Sequence, residues 1–278
     1  MQAVDMRCRP PLPSLWQTSM YDIEYAGKFA YKFAGSYMAE SAKERSVEKL
    51  LEEMDAANIA MAVYEVGQAD SNQEAWEFVS KYKGKFKAMV GCDLEDIPKT
   101  IANIKQYAHL EGFCGVNMDP INPSLGDKSP YMDDEKLFRV YEFCEKEKLP
   151  MTMAFGGYAY PDVTAHAVYR VENIVKNFPK LKLCFCHGCW PYFPQMCGLS
   201  MRYANIYFSP DSYLMGLPGS EDYVQAANYL LRDRIMFGTS YPFHAQKRVY
   251  EYYQNAGFRE EVLPDVMANN ALKFLNLL

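Results

Sequence analysis

Two arginines stand two residues apart in VDMRCRPP (4–11), at Arg7 and Arg9, and a proline pair follows at once. Guanidinium groups stay charged and planar, and their forked donors match a carboxylate or an enolate in two parallel bonds. Such a pair reads as an anion clamp. The competing reading is structural, with the pair bridging Asp5 or other carboxylates. His187 is the natural general acid/base, because imidazole alone has an unperturbed pKa near neutrality. Asp211 could orient His187 or act as a base. Glu65 and Asp119 could pair with the arginines, and His244 stands close to the last strand. Tyr158, Tyr160, Tyr213 and Tyr241 offer phenolic donors and flat apolar walls for a cyclic substrate. His109 and His166 fall in helical stretches and are read as bystanders. No G-x-G-x-x-G phosphate loop and no G-x-S-x-G elbow occurs.

These residues need a scaffold, and the chain supplies a regular one. Short apolar runs recur at 3–8, 59–64, 87–92, 113–118, 150–155, 181–186, 205–209 and 234–239. Helix-period stretches lie between them, clearest at 41–58, 96–110 and 133–148. Ser41 and Glu44 have capping-box spacing, and Asp96-Ile97-Pro98 is a good helix start. Eight strands alternating with helices predict a closed (β/α)8 barrel, a single domain over 1–278 with a long loop at 10–40 after strand one. That loop, rich in tyrosine and phenylalanine, and the long one after strand seven are expected to form a lid, a binding loop or a subunit interface. Strand alternation puts Asp5, Arg7 and Arg9 on one face and Val4, Met6 and Cys8 on the other. A helix layer has no use for charge, so the arginines should face the lumen, at the end where such barrels hold their chemistry. His187 ends strand six in the same way, and Ser240 and Tyr241 end strand eight.

With 278 residues, 49% apolar and 23% charged, the chain can bury a sizeable core. A net charge of −6 without a basic block argues against nucleic acid, and no run suits a membrane or a secretion signal. A cytoplasmic location is expected. Eight scattered cysteines favour reduced thiols, and CFCHGCWPYFPQMC lacks the paired spacing of a zinc knuckle.

The motifs VDMRCRPP, LKLCFCHGCWP, NIYFSPDSY, RIMFGTSYPF and VLPDVMANNALKFLNL resemble the amidohydrolase-related family that includes aminocarboxymuconate semialdehyde decarboxylase. The resemblance spans essentially the whole chain. It implies a D-x-H-x-H motif on strand one whose histidines bind a catalytic metal, but those positions are Arg7 and Arg9. The family histidine after strand five has no counterpart, and the strand-eight aspartate corresponds to Ser240. Only His187 survives from that set. Arginine has no lone pair to give a metal, so the chain reads as a divergent subgroup with an abandoned metal site. A mixed site from Glu65, Asp119, His187 and Asp211 is the metal-binding alternative.

The expected function is a metal-independent hydrolase acting on a small anionic, cyclic or aromatic substrate, with no cofactor. His187, Asp211 and Ser240 form the candidate catalytic set. Arg7, Arg9, Glu65, Asp119, Tyr158, Tyr241 and His244 form the substrate-binding set. Decarboxylation or another carbon–carbon lyase reaction is the alternative, and a non-catalytic ligand-binding barrel is the reading from another class. A homodimer or homotetramer is implied by the resemblance.

Overall fold

The computed structural model describes residues 1–120, 128–157 and 162–278, with the side chain of residue 163 undescribed. Seven parallel strands form one sheet in chain order: β1 (Ala3–Cys8), β2 (Ile59–Glu65), β3 (Phe86–Gly91), β4 (Phe113–Asn117), β5 (Met151–Ala154), β6 (Leu183–Cys186) and β7 (Ile206–Ser209). Helices separate successive strands, and the architecture is that of a (β/α)8 barrel. The strands are apolar and almost wholly buried, as parallel strands covered on both faces must be. No helix among the described residues is long and apolar enough to cross a membrane.

Two compact units are distinguished, Met1–Tyr64 with Ser209–Leu272 and Glu65–Phe208 with Lys273–Leu278. In the first, β1 pairs in parallel with β2, and its other edge takes the expected eighth run. Met6 N–H donates to the Phe237 carbonyl at 3.0 Å and Arg9 N–H to the Tyr241 carbonyl at 3.0 Å, and Cys8 bridges Tyr241. That run is not a regular strand. The Thr239 amide donates to the Asp5 carboxylate at 2.8 Å, and the Tyr241 amide to Thr239 Oγ1 at 3.2 Å. Side chains have captured the amides that a ladder would use.

The helix expected over 41–58 is two helices, α2 (Glu40–Glu44) and α3 (Val47–Ala56). Arg45 adopts left-handed backbone at φ 55° and ends the first, and the Ser46 hydroxyl accepts from Lys49 N–H to start the second. Ser41 is therefore not an N-cap; its hydroxyl bonds Glu53 and Tyr241 instead. The stretch after β1 contains α1 (Ile23–Tyr31), capped by Asp22. Phe29 and Phe33 lie at its end, packing on Phe243 and Tyr213 with ring centroids 4.8 and 5.1 Å apart.

In the second unit, β3, β4, β5 and β6 pair in unbroken order. Helices α4 (Asn72–Lys81), α5 (Ile97–Tyr107) and α6 (Glu135–Lys146) cover them, and α5 starts where expected, with Asp96 accepting from Lys99 N–H. Phe155 and Phe185 meet at 5.5 Å in its core. All eight cysteines are free thiols, seven of them buried.

Candidate active site

In the first unit the arginine strand is anchored by Asp5, which is completely buried. Its Oδ1 accepts from the amides of Arg7 (3.0 Å) and Thr239 (2.8 Å), and its Oδ2 from Thr239 Oγ1 (2.5 Å) and Gln246 Nε2 (3.2 Å). Desolvation outweighs these bonds and pushes its pKa up to about 6. Asp5 thus ties strand one to the turn after strand eight.

The Arg7 side chain is buried, and its Nε stands 3.7 Å from Asp211 Oδ2. That separation is electrostatic pairing rather than a hydrogen bond. Asp211 therefore serves the arginine, a role not foreseen for it. Its own carbonyl accepts from Tyr253 Oη at 3.0 Å. Arg9 is half-buried; its carbonyl accepts from Tyr21 Oη at 2.7 Å, which fixes the backbone of the R-x-R segment. Tyr241 is buried, with its hydroxyl 3.0 Å from Ser41 Oγ. His244 is buried edge-on against Phe33, ring centroids 5.2 Å apart. Ser240 Oγ is buried and has no hydrogen-bond partner among the described residues.

In the second unit Glu65 is fully buried at the end of β2 and accepts from Cys186 Sγ at 2.9 Å. Asp119 accepts from the Ala154 amide at 2.7 Å and from Asn117 Nδ2 at 3.4 Å, bracing the ends of β4 and β5. His187 follows β6 directly and is half-buried. A Cβ on Gly156 would stand 2.9 Å from His187 Cβ, so this glycine lets the backbone after β5 approach the histidine. Tyr158 and Tyr160 lie outside the described residues.

One feature unites three of the candidates. His187, Asp211 and Ser240 have φ of 64°, 47° and 55°, and each begins or lies in the turn just past strands six, seven and eight. Side chains other than glycine pay for such backbone, and strain of this kind concentrates at functional sites. Nothing in the residue types announces it.

His166, read as a bystander, is buried. It ends a single helical turn, Val163–His166, opened by Asp162, whose carboxylate accepts from Thr164 N–H. The turn buries the imidazole against Phe155 at a centroid distance of 4.9 Å. Burial, and then the charge of His187, lowers its pKa to about 4, so it is neutral under physiological conditions. The Asp162-x-Thr164 turn signal was the only hint in the sequence. His109 is exposed beside Glu147, just past the end of α5.

A family model described as Amidohydrolase matches residues 15–277. The chain belongs to the amidohydrolase family. Nothing among curated proteins matches it. An uncharacterized TIM-barrel protein from Bordetella bronchiseptica is similar at 29% identity and TM-score 0.92, covering 99% of each chain. More distant folds of the same kind include the 2,6-dihydroxybenzoate decarboxylase from Rhizobium, at 14% identity and TM-score 0.74 over 100% of this chain and 99% of that one. The 5-carboxyvanillate decarboxylase from Novosphingobium aromaticivorans is another, solved with manganese and 4-hydroxy-3-methoxy-5-nitrobenzoic acid, at 12% identity and TM-score 0.68 over 99% and 96%.

At Arg7 and Arg9 this amidohydrolase offers no donor to a metal such as the manganese of that structure. Guanidiniums stand at Arg7 and Arg9, where the resemblance implies ligand histidines, and they have no lone pair to share. Among the described residues no group of three or more His, Cys, Asp or Glu side chains is arranged to hold a metal ion.

Proposed function

We propose that this amidohydrolase is a carboxy-lyase acting on a small aromatic or cyclic carboxylate, with Arg7 near the end of β1 and Arg9 just past it carrying the electrostatic role that a metal has in related enzymes. The observation behind this reading is the buried Arg7 guanidinium at the carboxyl end of β1. A fixed cation in a site shielded from water stabilises an anion far more than a solvated one does. The occurrence of aromatic-acid decarboxylases among the similar folds favours decarboxylation over hydrolysis as the reaction class. That support is analogy of fold. On the same reading the chain represents a subgroup in which R-x-R stands in place of the metal-binding H-x-H.

In this mechanism Arg7 and Arg9 hold the carboxylate and an adjacent ring oxygen. His187 gives a proton to the ring carbon that bears the carboxylate, using a ring electron pair. The carbon–carbon bond then breaks, its electrons restore the aromatic ring, and carbon dioxide leaves. Asp211 positions Arg7, and Glu65 and Asp119 hold the strand ends. Tyr241, Ser240, His244 and Tyr158 belong to the proposed lining. We further propose that the chain works as a homodimer or homotetramer, which sedimentation equilibrium tests directly.

The function test is incubation with a panel of hydroxybenzoates and, in parallel, aryl lactones. Carbon dioxide released in step with loss of the acid is the expected result. Ring-opening of a lactone without carbon dioxide would move the assignment to hydrolysis, and binding without turnover to a ligand-binding barrel.

A further inference from the structure

His166 is a buried imidazole whose Nε2 has no hydrogen-bond partner among the described residues. Leaving a buried polar atom unmade is unfavourable, and a phenylalanine would fill this place against Phe155 without that penalty. The ring lies near enough to His187 to feel its charge. A polar atom that is buried, without a partner among the described residues and within electrostatic range of the proposed acid/base is what a group completed by its ligand looks like. We propose that His166 is a specificity-determining residue, its Nε2 sharing a hydrogen bond with a ring hydroxyl of the substrate.

The neutral imidazole fits a hydroxyl better than a second carboxylate, because it can give or take one hydrogen bond without adding a charge. A site built to bond a hydroxyl rejects the analogue that lacks it, because its polar group is left unpaired. This inference rests on the proposed carboxylate-binding function.

The experiment is calorimetric titration of 2,6-dihydroxybenzoate and of benzoate into the wild-type protein, H166F and H166Q, with a thermal melt of each. The wild type should prefer the dihydroxylated probe by about tenfold or more. H166F should bind both probes alike, keep the wild-type benzoate affinity within about twofold, and melt no lower, since an unpaired polar atom has been removed. H166Q should recover part of the preference. Discrimination that survives in H166F overturns the role of His166 alone. A wild-type protein that binds neither probe overturns the carboxylate reading and this inference with it.

Discussion

Arg7 Nε lies 3.7 Å from Asp211 Oδ2, with the two side chains 5% and 0% exposed. A buried pair of this kind adds little by itself, yet removing one partner leaves the other charge less well compensated in a dry site. Asp211→Asn keeps the shape and tolerates the left-handed backbone at φ 47°. The variant should lose about 3 kcal/mol or more of stability by urea denaturation. An unchanged midpoint would mean that Arg7 is neutralised by other groups.

Asp5 makes stability depend on pH in a definite direction. Its folded pKa is about 6 against an ordinary 3.8, so between those values the folded state holds a proton that the unfolded state has released. Stability from this group is complete below about pH 4 and falls as pH rises through 6, by roughly 3 kcal/mol. Asp5→Asn should flatten this slope, since Gln246, whose Oε1 has no partner among the described residues, can turn to accept from the new amide. Melting temperatures of both proteins from pH 4 to 7 check it. Parallel curves would show that Asp5 ionises normally.

Gly156 sets the position of His187. With φ at 153° and a prospective Cβ 2.9 Å from His187 Cβ and 3.1 Å from its carbonyl oxygen, Gly156→Ala must displace the turn after β6. The expected cost is about 1–3 kcal/mol, with a loss of turnover larger than the unfolded fraction explains. Full turnover in the folded variant would separate His187 from the chemistry.

Seven of the eight apolar runs are regular strands, because a buried parallel strand announces itself by apolar residues alone. The eighth run, RIMFGT, lies beside β1 without strand geometry, since Asp5 takes the Thr239 amide across 234 residues of sequence and the Val266 carbonyl takes that of Phe237. The break at Arg45 was equally hidden: an uninterrupted helical pattern over 41–58 conceals one residue in left-handed backbone. Arg7 and His187 could be found by residue type and strand position. The pairing of Arg7 with Asp211 and the burial of His166 arise from turns whose direction local sequence does not encode.

The central claim, that guanidinium charge does the work of a divalent ion, is tested most directly by calorimetric titration of 2,6-dihydroxybenzoate into protein dialysed against EDTA. Arg7→Lys and Arg7→Met are titrated alongside. The account predicts unchanged binding by the chelated wild type, binding at least about tenfold weaker for the lysine variant because the fork is lost, and none for methionine. Binding that EDTA abolishes, manganese restores and Arg7→Met leaves intact would contradict it.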